Sequence, residues 1–140
     1  METIEIKLNI KPLLTDKERK WVITDIEKFL AKHMVAGYAR FNNGNLIISS
    51  ENRDAIPYII RIAYDTLFEI IAEREYIFRV NSGIKMNHSL GVVLGETEFS
   101  VMLISDDGKI LEETKIADIS EFMPFFKAAV NLMDKYYPLR

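Results

Sequence analysis

Residues 37–50, Gly37-Tyr38-Ala39-Arg40-Phe41-Asn42-Asn43-Gly44-Asn45-Leu46-Ile47-Ile48-Ser49-Ser50, decide how the rest of the chain is read. Two short apolar runs, 38–41 and 46–49, flank a polar turn whose Asn-Gly pair tolerates the positive φ of a tight hairpin, so the runs are expected to be antiparallel neighbours. Beyond Asp54, the residues Ile56, Ile59, Ile60, Ala63, Leu67, Ile70 and Ile71 recur at helical spacing and call for burial against that hairpin. With about 100° per residue, Arg61, Asp65, Glu69 and Glu73 form a narrow polar stripe, and the apolar side chains spread over an arc of roughly 200°, wider than an ordinary amphipathic face. One sheet cannot cover such an arc. Its surplus, Tyr58, Ile62, Tyr64 and Phe68, is expected to meet another helix, a partner chain or a ligand.

Outward from this centre, residues 3–10 alternate, with Ile4, Ile6, Leu8 and Ile10 on one face, as a half-buried edge strand does. Pro12 ends that strand, and Thr15 with Glu18 offers a capping box that opens a first helix. Val22, Ile26, Phe29, Leu30 and His33 mark its inner side, and it stops near Gly37. The second helix takes its cap from Asp54 or Asn52, with Pro57 in the first turn, where a missing N–H costs nothing. The aromatic and β-branched run 76–80, which includes Tyr76 and Phe78, reads as a strand, and the polar segment 81–88 as a loop. Runs 90–94 and 99–104 join through Gly95-Glu96-Thr97-Glu98, and Asp106-Asp107-Gly108 turns the chain into 109–116, an antiparallel meander. A last helix is expected from Ser120 or slightly later, burying Phe122, Phe126, Ala129, Val130, Met133 and Tyr137 until Pro138 closes it. The order β-α-β-β-α-β-β-β-β-α belongs to one α+β domain over residues 1–140, with an antiparallel sheet of five to six strands sandwiched by three helices.

The chain has 140 residues, a net charge of -3 and no cysteine. That length supports one core without staples. The absence of cysteine excludes disulfides, thiolate metal sites and cysteine nucleophiles. Interspersed charges give no footprint for a phosphate backbone, so nucleic acid is not an expected partner. No apolar run is long enough to cross a bilayer and no secretory leader is evident, so membrane insertion is not expected and a cytoplasmic address is.

Few residues invite chemistry. His33 sits on the apolar side of the first helix and reads as a core or boundary histidine. His88 lies beside Asn87 and Ser89 in the polar loop, where an imidazole could serve as acid, base or sensor, yet no neighbour in sequence orients it. Asp65, Glu69 and Glu73 share a helix face, but Arg61 and Arg74 border them and the set reads as a solvated stripe rather than a cation site. Asp106-Asp107-Gly108 lacks the alternate ligands of a calcium loop. Leu94-Gly95-Glu96-Thr97 is similar to the phosphate hairpin of sugar kinases, but Glu96 would repel phosphate there. No cofactor, metal or catalytic set is therefore expected.

The helix, Gly-led hairpin, apolar helix and three strands of residues 15–104, with the hairpin of residues 37–50 as the motif, resemble the roadblock, or dynein light-chain, family and its longin and profilin-like relatives. The resemblance implies a five-stranded antiparallel sheet between helices and a homodimer through the second helix and the following strand. It would give Tyr58, Ile62, Tyr64, Phe68, Tyr76 and Phe78 an interface role. The expectation is a non-catalytic cytoplasmic adaptor or regulatory subunit that binds a second protein, a small GTPase or a complex subunit. The alternatives are a small-ligand sensor or small enzyme built on the 81–89 loop with Lys85, Asn87, His88 or Arg79, and a secretion-chaperone-like client binder.

Overall fold

The computed structural model describes residues 1–139, which fall into two compact units: Met1–Leu67 with Ser120–Met123, and Phe68–Ile119 with Pro124 onward. In the first unit, β1 (Glu2–Ile6), α1 (Asp16–Lys32), β2 (Gly37–Asn42) and β3 (Asn45–Ser50) precede α2 (Ile56–Asn81), whose residues up to Leu67 belong here. The strands form an antiparallel sheet in the order β1-β3-β2. The hairpin is as the sequence requires: Asn43 and Gly44 take φ of 54° and 81°, and Asn42 pairs with Asn45 across the turn. Central β3 is buried from Leu46 to Ser50, and β1 lies at the sheet edge. The strand expected over 3–10 ends at Ile6 with a bridge at Lys7, because Asn9 takes a positive φ of 49°, although Leu8 and Ile10 remain buried.

α1 packs on β2 and buries Val22, Ile26 and Leu30. Its capping box is complete: the Glu18 N–H donates to Thr15 Oγ1 at 3.1 Å, and the Thr15 N–H donates to Glu18 Oε1 at 2.9 Å. Replacing Thr15 with alanine should lower unfolding free energy by about 1 kcal/mol, read as a shift of the urea midpoint at constant slope. His33 is not a core histidine. It caps the exposed end of α1, its ring 4.6 Å from Phe29. The seven helical positions of the apolar stripe from Ile56 to Ile71 are all buried. Asn52 opens a single turn, Arg53–Ala55, by accepting from the Asp54 N–H, and α2 follows directly.

The second unit holds the remainder of α2, the meander β4 (His88–Leu94), β5 (Phe99–Ser105) and β6 (Ile110–Ile116), and α3 (Met123–Tyr136) from Pro124 onward. Central β5 is buried from Phe99 to Leu103, a mostly apolar run that includes the buried Ser100. α3 begins at Met123, slightly after Ser120. The Phe122 N–H instead donates to the Lys7 carbonyl at 3.0 Å, and Glu121 bridges Lys7, which ties this segment to the end of β1. The inner face of α3 is Phe125, Ala128, Ala129, Leu132 and Met133, with the expected Phe126 and Val130 only half-buried.

Two expectations are corrected here. The protein is α+β with three helices, but its six strands make two three-stranded sheets rather than one sandwiched sheet. Residues 76–80 are not a strand. They complete the 26-residue α2, because no glycine or proline interrupts the chain between Pro57 and Gly83 and strand propensity yields to a helix already running. The stop is Gly83 at φ 83°: its N–H donates to Val80 and the Ile84 N–H donates to Arg79, both at 3.0 Å, a Schellman cap.

Candidate binding site

The second unit gathers most of what the sequence marks as functional around the last turns of α2. Four large apolar side chains there, Tyr76, Ile77, Phe78 and Val80, are each between 43% and 55% exposed. Ile77 and Phe78 follow Ile70 and Ile71 by seven residues and so continue the same helix face. Two turns earlier that face is covered.

Between these exposed residues lies Arg79, whose side chain is fully buried. Its guanidinium is satisfied from three directions: Nε donates to the Tyr137 carbonyl at 2.9 Å, Nη2 meets Asp134 at 2.5 Å, and Nη1 pairs with Glu75 one helical turn back. A planar fork with several donors suits this task, and a point-charge ammonium would not. The arrangement fixes the end of α2 to the end of α3, and Tyr137 carries the linkage further. Its hydroxyl lies 2.8 Å from Asn87 Oδ1, 3.2 Å from the Asn87 N–H and 2.5 Å from His88 Nδ1.

With Asn87 Oδ1 facing the hydroxyl, one proton and two lone pairs are shared among the three neighbours as follows. The proton goes to Asn87 Oδ1, which only accepts, and the lone pairs take the Asn87 N–H and an Nδ1–H of His88. Nε2 is then the imidazole nitrogen left to act on something else. Opposite His88 on β5 stands Ser105, and the Ser105 hydroxyl bonds Asp107. That bond, chiefly, holds the Asp107 carboxyl below its ordinary range against a small cost of burial, with backbone amides and the His88 charge adding to it.

Two concavities flank the 82–87 loop. One, of about 530 Å³, is lined by Phe78, residues 82–85 and residues 136–139, and so includes Lys85 and Tyr137. The other, of about 290 Å³, is lined by Ala72, Glu73, Tyr76, Met86, His88, Ser89, Leu90 and Met133. Each opens beside one exposed aromatic of α2. Among the described residues no group of three or more histidine or acidic side chains could hold a metal ion.

The residues expected to form an interface are thus divided. Tyr64 and Phe68 are 0% and 7% exposed, with rings against Phe122 at 5.4 Å and Phe125 at 6.0 Å, so the wide apolar arc of α2 is largely covered within one protomer. Ile62 is half-buried, and Tyr58 is exposed in the first unit with the Arg61 guanidinium 5.1 Å from its ring. Tyr76 and Phe78 are exposed; Asn87 and His88 meet at the Tyr137 hydroxyl, while Lys85 lines the other concavity. Ile77, Val80 and the Tyr137 hydroxyl were not singled out from sequence, and Glu73 was read only as part of a solvated stripe. The Ser82-Gly83 pair was the signal that would have placed 76–80 on the helix. Comparison with family models, curated proteins and solved structures finds no match. No helix is long and apolar enough to cross a membrane among the described residues.

Proposed function

We propose that this protein is a non-catalytic binding module that associates with itself and with a second protein through the C-terminal turns of α2. The observation that carries the reading is the exposure of Tyr76, Ile77, Phe78 and Val80 at the end of α2, with Phe78 and Tyr76 each lining one of the two concavities. Aromatic and branched anchors beside pockets are the usual centre of a protein contact, and soluble chains seldom leave such clusters bare. The rigid base under them, Arg79 in its carboxylate cluster, limits the entropy lost on docking. The roadblock resemblance adds a small GTPase or a complex subunit as the class of second partner. The cytoplasm is the proposed setting.

Sedimentation equilibrium tests the self-association. The wild-type chain should associate at tens of micromolar and the double variant Tyr76→Asp, Phe78→Asp should not, a loss of at least about 2 kcal/mol for two anchor residues. A wild type that stays monomeric over that range removes the homodimer. Affinity capture from native cells with the two baits tests the second partner. Identical sets of captured proteins would place the contact elsewhere.

A further inference from the structure

We propose that the cavity walled by Ala72, Glu73, Tyr76, Met86, His88 and Met133 receives the lysine side chain of a protein partner, with the ammonium group held by Glu73 and His88. The inference rests on the binding-module reading and deepens it by naming what the partner inserts. The cavity, about 290 Å³, is at the lower limit for a small-ligand pocket and ample for one long side chain. Its walls are mostly apolar, from Ala72, Met86, Leu90, Met133 and the ring of Tyr76, which suits a methylene stem.

Its polar lining is the decisive part. No lysine or arginine lines the cavity. Glu73 has no hydrogen bond or ion pair with any described residue, so its carboxylate is a charge awaiting a counter-ion. His88 has committed Nδ1–H to Tyr137, and in the neutral ring Nε2 can only accept. Tyr76 adds an aromatic face, which attracts a cation. The acceptors come from separate elements, Glu73 from α2 and His88 from β4. Only two charged or basic acceptors line the cavity, a number that a compact ammonium on an unbranched stem can use, whereas a guanidinium would leave most of its five N–H donors unmet against apolar walls. Tyr76 also belongs to the exposed cluster, so a partner docked on Ile77 and Val80 has its lysine within reach of the opening.

The probe is Nα-acetyl-lysine methylamide, titrated against the full chain and followed by NMR at the Met86 and Met133 methyls and the His88 imidazole nitrogens. The lysine compound should shift all three. The norleucine analogue, which lacks the ammonium, and the arginine analogue should bind at least about tenfold more weakly, and Glu73→Gln should weaken the lysine compound by a similar factor. Glu73 is exposed, so that variant leaves the core intact. Equal binding of norleucine would reduce the site to an apolar hollow, preference for arginine would overturn the choice of cation, and no shifts at saturating probe would overturn the site. Repeating the titration on Phe78→Asp, a residue outside the cavity lining, separates failure of the site from covering of Tyr76 by a second copy.

Discussion

Replacing Arg79 with leucine is expected to lower the unfolding free energy by about 3 kcal/mol, among the larger effects a single substitution produces. Leucine fills part of the space but leaves the Tyr137 carbonyl without its donor and the Glu75 and Asp134 carboxylates facing one another without a cation. Breaking a buried ion pair from one side costs about 3–5 kcal/mol. Asp134 is 55% exposed and Glu75 20%, so water recovers part of that loss and the lower end applies. Arg79→Lys should fall between the two, since an ammonium keeps the charge but cannot serve three acceptors in a plane. Urea unfolding at neutral pH measures the difference. An Arg79→Leu variant within about 0.5 kcal/mol of wild type would mean that the carboxylate cluster does not hold the two helix ends.

The second large effect belongs to Gly37→Ala, expected to cost at least about 2 kcal/mol. Gly37 pairs with Ser50 at the start of β2, and a Cβ there would lie 2.5 Å from the Ser49 carbonyl oxygen and 3.3 Å from Ser50 Cα. Both obstacles are backbone or fixed to it, so only a movement of the strands relieves the overlap. Gly91→Ala is the matched control. Its Cβ would meet Ile104 Cδ1 at 2.6 Å, the free end of a side chain that can rotate away. Alanine also restrains the unfolded chain better than glycine, so that variant should stay within about 1 kcal/mol of wild type. Comparable losses at the two positions would show that the Gly37 contact is not what constrains the strand pair.

What could be read in the sequence was local and repeated. The Asn43-Gly44 turn, the Thr15 and Glu18 box and the buried stripe of α2 each rest on contacts within a few residues or on a period sampled many times. What could not be read depended on where distant segments meet. Tyr76 to Val80 has the composition of a strand, and only the glycine that follows shows that the helix had not yet stopped. Arg79 near a helix end would ordinarily face water, and its burial depends on Asp134 and Tyr137, more than fifty residues away. Tyr137 reads as one more apolar contact of α3, yet it is the hydroxyl that orients His88. The division of six strands into two sheets rests on pairings that strand-length runs leave undetermined.

The end of α2 also sets what kind of company the protein keeps. Four bare apolar side chains would make any chain adhesive at high concentration, but Glu73 stands on the same flank as Tyr76 and Val80, in a molecule of net charge -3. Two copies that meet along that flank bring like charges together, which slows their encounter at low salt without removing the apolar contact, while a basic surface is drawn in before any apolar contact forms. The acidic flank thereby turns a sticky surface into a selective one.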